Sequence, residues 1–218
     1  MSSTHNTAQT NPTTTTPTNN DDWGSHISTI KDTAHTRIAF QNIHGIPHRR
    51  PEAKGHQVGA YMTTHNIDIF GISETNLDWT YLPATAKFLS ALRTHTTHTL
   101  FQHAQSMVHF DTPFQPGGTA IVVQSHWVGH ACQTNSDCMG RWTITTLQGR
   151  NRTKISIISA YIPPQESINA CGPRTAYSQQ WTMLRDNQTN PEPRRQAFDD
   201  LTDMVLQSPP SYHSYDGR

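Results

Sequence analysis

The sequence predicts a layered α/β domain built around a mixed β-sheet. Three observations point there: short β-like runs alternate with helix-like ones early in the chain, strand candidates cluster in its middle, and the last patterned segments are helical. Strict alternation of strands and helices would favour a purely parallel, doubly wound sheet. The central cluster instead favours strands joined directly to one another.

In chain order, Arg37 to Asn42 (RIAFQN) alternates apolar and polar residues as a half-buried strand does, and Gly45, Pro47 and Pro51 then make a loop. Glu52 to Asn66 carries Ala53, Val58, Tyr61 and Met62 at mixed three-to-five spacing, which reads as an amphipathic helix. Ile67 to Ser73 (IDIFGIS) is short, largely apolar and bounded by polar residues, the pattern of a strand buried on both faces. A helix is predicted over Ala84 to Thr94, with Pro83 near its start. Strands are predicted at Thr99 to Gln102, Thr119 to Gln124, Arg141 to Leu147 and Lys154 to Tyr161. Helices follow at Ala176 to Arg185 and Arg194 to Leu206, the latter with Phe198, Leu201, Val205 and Leu206 on one face.

The 218 residues amount to one domain with some surplus, at a prior of about 150 residues per domain. A hydrophobic share of 33% lies below the roughly 45–50% of globular chains, so part of the chain lies outside a core. Met1 to about Asp22 is Thr, Asn, Ser, Gln and Pro with almost no apolar side chain and cannot offset its ordering entropy. Residues 1–35 are therefore read as a disordered Thr/Asn-rich tail, 36–207 as the domain and 208–218 as an unstructured end. Sixteen basic and 16 acidic residues give a net charge of zero, so no strongly basic surface announces nucleic acid. A local groove with bound metal ions can still supply a positive field. No apolar run approaches the roughly 18 residues that span a bilayer, and MSSTHNTAQT lacks a signal peptide's basic start and apolar stretch. The expectation is an intracellular protein without a membrane partner, the nucleus being one candidate compartment. Cys132, Cys138 and Cys171 cannot all pair within the chain, which fits a reducing compartment.

The residues most suggestive of chemistry lie just past strands. Glu74 follows Ile67 to Ser73, Asn42 closes the first strand before His44 and Gly45, and Tyr161 closes KISIISAY. Ligands of open α/β sheets sit outside the carboxyl ends of strands. A carboxylate and an amide suit a hard divalent cation, usually Mg2+ where phosphate is the substrate. Taken singly, an acid after a strand is most often a helix cap or a solvated turn.

Together, FQNIHG at Phe40 to Gly45, DIFGISETN at Asp68 to Asn76, PGGTAIVV at Pro116 to Val123 and SAYIPP at Ser159 to Pro164 resemble the first half of the endonuclease/exonuclease/phosphatase superfamily. More narrowly, they resemble the apurinic-endonuclease-like domain that precedes reverse transcriptase in non-LTR retrotransposons. The resemblance covers roughly Thr36 to Gln207. It implies an α/β, α+β-like sandwich of mixed β-sheets flanked by helices, and Mg2+-dependent phosphodiester hydrolysis. It also implies DNA as substrate and, in a complete element, a downstream reverse transcriptase domain. Glu74 matches the family's metal-binding glutamate, and Asn42 the asparagine that orders metal and phosphate. Tyr161 matches a tyrosine set against the scissile phosphate, which makes it, with Asn42, a candidate catalytic residue. Gly117 and Gly118 match paired glycines at the site's rim. His44, Asn76 and Arg141 are candidate substrate contacts.

Departures from the family bear on activity. A GDFN-like Asp and Asn and a terminal SDH-like Asp-His pair are both absent, and the late His213 lies in SYHSYDGR without that order. His44 stands where many members have an acid or amide, and Pro164 replaces an asparagine of apurinic members. The expectation is a C-terminally incomplete domain that is inactive alone because the second half of its site is missing. Alternatives are a non-catalytic nucleic-acid or phosphate binding fragment, a decayed reading frame without function, and a phosphatase of the same superfamily.

Two further signals compete. His126, His130, Cys132 and Cys138 form an HxxxHxCxxxxxC array with four potential zinc ligands, but no CxxC knuckle; in a chain with 14 histidines the favoured reading is surface loop residues. Arg141 and Trp142 with Arg150, Arg152 and Lys154 form a basic and aromatic cluster able to touch a nucleic-acid backbone. The favoured reading there is a core tryptophan and a solvated hairpin tip.

Overall fold

The computed structural model describes residues 30–32, 34–96, 98–108, 112–164, 172, 174–186 and 191–207. Most of the tail read over 1–35, and all of the end read over 208–218, lie outside the described residues. Described contacts begin ahead of Thr36, where the Lys31 ammonium pairs with the Asp68 carboxylate.

Among the described residues, seven strands form two sheets. The first holds β1 (Ile38–Asn42), β2 (Ile69–Ser73), β4 (Thr119–Gln124) and β3 (Thr99–Ala104) in that spatial order. β1 runs parallel to β2, while β4 is antiparallel to both β2 and β3. The second sheet holds β5 (Ala131–Ser136), β6 (Trp142–Gln148) and β7 (Lys154–Ala160), antiparallel throughout. The sheets stack with β6 and β7 over β2, β3 and β4. The molecule is thus an α/β sandwich of two sheets flanked by helices, the first mixed and the second antiparallel.

The period-2 alternation of strands creates two cores. On β4, Ala120 and Val122 face the helical layer with Phe70 and Ile72 of β2, whereas Ile121 and Val123 face the second sheet with Ile69, Leu147 and Ile157. β2 is buried on both faces, as its apolar run predicts. The helical layer is α1 (Pro51–Thr64) and α2 (Leu82–Arg93), each with a proline in its first turn, where its missing N–H is no loss. The two helices pack closely because α1 presents Gly55, Val58, Gly59 and Met62 to its neighbour. A Cβ at Gly55 would collide with the Phe88 carbonyl oxygen, and one at Gly59 would lie 3.0 Å from the Leu92 carbonyl oxygen. Ala53, expected on this face, is exposed, and Tyr61 is half-buried against the core.

Two further differences from the sequence pattern have physical causes. β5 falls where a loop was expected, because ACQTNS is an exposed edge strand held by ladder hydrogen bonds to β6 rather than by apolar burial. α3 (Ala176–Arg185) falls where it is predicted and begins at Thr175, whose hydroxyl accepts from the Ser178 N–H while the Ser178 hydroxyl accepts from the Thr175 N–H. α4 (Pro193–Gln207) turns Pro193, Ala197, Leu201 and Met204 inward and leaves Phe198, Val205 and Leu206 exposed. An ion pair between Asp200 and Arg141, the residue before β6, ties this helix to the second sheet. Among the described residues, no helix is long and apolar enough to cross a membrane.

Candidate functional site at the carboxyl ends of β1, β2 and β7

The strand registers bring the sequence motifs to one place. Asn42 at the end of β1 lies beside Ser73 at the end of β2, and Ser73 beside Thr119 at the start of β4. From the second sheet, the Ser159 hydroxyl donates to the Ile72 carbonyl oxygen at 2.9 Å, fixing the end of β7 over β2. Tyr161 emerges beside Glu74 as a result, although 87 residues separate them in sequence.

Three loops then lace together. The Gly45 and Ile46 N–H groups donate to the Glu74 and Thr75 carbonyls at 2.8 and 2.7 Å, and the Thr75 and Asn76 N–H groups donate to the Gly118 and Gly117 carbonyls at 3.2 and 2.8 Å. The Asn42 side-chain oxygen accepts the His44 N–H at 2.9 Å, and that of Asn76 accepts the Gly117 N–H at 2.8 Å. These bonds hold His44, Glu74 and Asn76 in the left-handed region at φ of 53°, 56° and 51°, with Gly45, Gly117 and Gly118 there as well. The paired glycines are sterically required. A Cβ at Gly118 would lie 2.5 Å from the Thr75 hydroxyl, and one at Gly117 would lie 3.3 Å from the Tyr161 ring.

The Glu74 carboxylate is the centre of this arrangement. Its Oε1 accepts the Tyr161 hydroxyl at 3.0 Å, and its Oε2 stands 3.5 Å from His44 Nδ1. The Glu74 side chain is 25% exposed and that of His44 is 86% exposed, so the carboxylate opens to solvent through the histidine. Among the described residues, no group of three or more His, Cys, Asp or Glu assembles as a metal cage. One carboxylate with nearby amide oxygens fits a hard cation that keeps most of its water, as Mg2+ does. It does not fit a closed zinc site.

Of the residues singled out by sequence, Asn42, His44, Glu74, Asn76 and Tyr161 meet here. The Arg141 side chain does not join them. It is 3% exposed, with its guanidinium bound to Asp137 at 2.9 Å and to Asp200 at 2.8 Å. Burial works against its charge, but the two carboxylates more than offset this and raise its pKa above the ordinary value. Its part in the site is indirect, because its carbonyl accepts the Tyr161 N–H at 2.7 Å. Trp142 is buried beneath the Arg141 guanidinium. Arg150, Arg152 and Lys154 are exposed at the opposite end of β7 from Tyr161, about 20 Å along a strand of that length. In the potential zinc array, His130 Nδ1 is within 2.9 Å of the Gln148 carbonyl and Cys132 donates to the Thr146 carbonyl. Thr75 and Ser159 are bracing residues that sequence reasoning quoted within motifs but gave no role. Hydroxyls at strand ends carry no hydrophobic signal.

Fold and site together define a two-sheet α/β sandwich with a carboxylate, tyrosine and histidine at the carboxyl ends of its strands. No protein-family model matches the sequence, and no curated protein matches it. Among solved structures, the chain is similar to an endonuclease/exonuclease/phosphatase family protein from Leptotrichia buccalis C-1013-b, at 13% identity over 78% of this chain and 74% of that one, with TM-score 0.42. It is also similar to an AP endonuclease from Archaeoglobus fulgidus, at 16% identity over 71% of this chain and 52% of that one, with TM-score 0.40. A third is the 3' phosphatase NExo from Neisseria bound to a product DNA hairpin, at 17% identity over 80% of this chain and 54% of that one, with TM-score 0.41. The chain spans about half the length of the last two.

Proposed function

We propose that this chain carries the metal-carboxylate half of a phosphodiester-hydrolysing site of the DNA endonuclease type, derived from a non-LTR retroelement, and that these residues alone bind phosphate without cleaving it. The observation that carries the reading is the Glu74 carboxylate, aimed out of a strained, over-braced loop between Tyr161 and His44. The sequence words around these residues support the retroelement assignment, with the reverse transcriptase domain as the partner in a complete element.

Glu74, with Asn42 beside it, would hold Mg2+, which polarises a phosphate and stabilises charge on the leaving oxygen. The Tyr161 hydroxyl donates to Glu74 Oε1 and so orients the carboxylate, and it would turn that one proton to a phosphate oxygen when phosphate binds. His44, largely exposed at the mouth, is the side chain a phosphate meets first. In-line attack also needs a group that activates water, and the sequence holds neither a GDFN-like nor an SDH-like segment to provide one. Catalytic groups act as a unit, so this half-site is expected to yield little rate.

The test combines nicking of supercoiled DNA with Mg2+-dependent melting of the whole chain and its Glu74→Ala variant. The expected outcome is no nicking by either protein. Mg2+ is expected to stabilise the parent by about 1.4 kcal/mol at ten times the dissociation constant, and the variant not at all. Nicking by the parent that disappears in Glu74→Ala would overturn the claim of inactivity. Equal Mg2+ stabilisation of both proteins would overturn the metal role of Glu74.

A further inference from the structure

The offset between the two sheets leaves one side of the sandwich open. β7 lies over β2 and β4, while β1 projects one strand farther out on the same side. Ala39 turns to the helical core, so Ile38 and Phe40 face the side of the second sheet, with the Phe40 ring across Gly71 of β2. Ile155 shares its face of β7 with Ile157 of the inner core. These three side chains point into the sandwich, yet Ile38 is 41% exposed and Phe40 and Ile155 are each 56% exposed.

The edge of β7 beside them is unpaired as well. The Gly149 N–H donates to the Thr153 carbonyl and the Tyr161 N–H to the Arg141 carbonyl, each at 2.7 Å, so the odd-numbered residues between Thr153 and Tyr161 bond to β6. Lys154, Ser156, Ile158 and Ala160 therefore aim their N–H and carbonyl groups outward, where no backbone partner meets them among the described residues. β5, the other edge of that sheet, is polar and bulged, which protects an open edge, whereas β7 is regular and largely apolar. A second copy of the chain paired at β7 would bring its own first sheet into the space that β1 holds. One extended strand fits, since neighbouring strands lie about 4.8 Å apart and β1 projects by one such step.

The sequence supplies a segment of that pattern just ahead of the described residues, at 23–29 (WGSHIST). After Met1, Trp23 and Ile27 are the only large apolar side chains ahead of Ile30. Their spacing of four puts both on one face of an extended segment, with Gly24, His26 and Ser28 on the other. The seven residues match the seven of β7. Their near end is held at the foot of the first sheet, where Lys31 pairs with Asp68, the residue before β2. The Asp32 carbonyl accepts the His35 N–H at 3.1 Å, the bond of a chain reversal, so the chain ahead of it heads back along β1. β1 and β7 both end at the site, so this direction also opposes β7, as continuation of an antiparallel sheet requires. We propose that residues 23–29 dock as an extended strand on the outer edge of β7, with Trp23 and Ile27 laid on Phe40 and Ile38. The inference is independent of the function proposed above.

The test is backbone amide exchange in the full chain, followed by NMR, alongside Trp23→Ser, Ile27→Asp and His26→Ser variants checked by circular dichroism. Exchange at Ser156, Ile158 and Ala160 is expected to be at least tenfold slower in the parent than in an unfolded chain. It is expected to speed up at least tenfold in Trp23→Ser and Ile27→Asp, and to change less than twofold in His26→Ser, whose side chain faces outward. The Ile121 and Val122 amides of β4 should stay protected in all four proteins, which separates release of the strand from unfolding. Exchange at unfolded-chain rates along the β7 edge of the parent would overturn the proposal. So would protection retained in both Trp23→Ser and Ile27→Asp, the mark of another segment on the edge, or protection that grows with protein concentration, the mark of a second copy.

Discussion

Arg141→Met is the perturbation whose size follows most directly from the structure. The guanidinium makes two parallel bonds to Asp137, from Nε and Nη2, each 2.9 Å, and one to Asp200 at 2.8 Å. The Arg141 and Asp137 side chains are 4% and 5% exposed, while Asp200 is 33% exposed. Removing one partner of a buried pair costs about 3–5 kcal/mol, because the other charge stays behind. Asp137 Oδ2 keeps the Met139 and residue-141 N–H groups, both at 3.0 Å, which places the cost at the lower end. Screening leaves the exposed Asp200 contact a contribution below about 1 kcal/mol. The sum is about 3 kcal/mol, and with a urea m-value of about 2 kcal/mol/M the unfolding midpoint should fall by roughly 1.5 M. Arg141→Lys keeps the charge but loses the fork, so it should recover less than half of that. A midpoint shift for Arg141→Met under about 0.5 M of urea would refute the view that this residue is a buried tie rather than a substrate contact.

Two other perturbations probe the bracing of the site and the core beside it. Gly118→Ala sets a Cβ 2.5 Å from the Thr75 hydroxyl at a φ of +79°, so it should destabilise by about 2 kcal/mol and weaken the Mg2+ response of Glu74; an unchanged urea midpoint would count against the close approach. His103 stacks on Trp79 with its Nδ1 buried and unpaired, and burial lowers its pKa below the ordinary 6.5. Since the folded state binds this proton later than the unfolded chain, its stability is complete above pH 6.5 and declines as pH falls through the window down to the depressed value. His103→Phe should flatten that acid limb in pH-dependent urea melts, and an identical limb in the variant would show that other groups cause it.

The parts of the fold readable from sequence are those in which burial dictates residue type. β2 and β4 bury both faces, so IFGIS and TAIVV are nearly continuous apolar runs that could scarcely be anything else. β5 was illegible because an edge strand draws its hold from backbone hydrogen bonds, which any sequence supplies. Periodicity marks Val58 and Met62 on the contact face of α1 but not Gly55 and Gly59, which work by lacking side chains, an absence that hydrophobic periodicity does not register. Arg141 was assigned outward because an arginine beside a tryptophan looks alike on a surface and in a core. What decides is the buried Asp137 carboxylate, which takes both arms of the guanidinium, with Asp200 of α4 closing over it. The site residues were legible as a set, since Asn42, Glu74 and Tyr161 each end a strand, but not their mutual distances, which depend on how the second sheet is registered over the first.

Backbone strain locates the site only in combination with that convergence. Asn66, His98, Ser125, Asn151 and Arg152 also have positive φ, but each stands alone or with one neighbour at the end of an element. His44, Glu74 and Asn76 differ because they occupy two adjacent loops whose backbone groups bond to each other and to the Gly117–Gly118 turn. A strained residue persists where its surroundings over-determine it, at a cost of order 1–3 kcal/mol each. A glycine would relieve that strain at position 74 but would present no carboxylate. The left-handed conformation at Glu74 carries the chain past the end of β2 and leaves the carboxylate within reach of the Tyr161 hydroxyl and His44 Nδ1. Local strain, loop bracing and the meeting of β1, β2 and β7 are thus one arrangement, and its outcome is a carboxylate opened toward solvent.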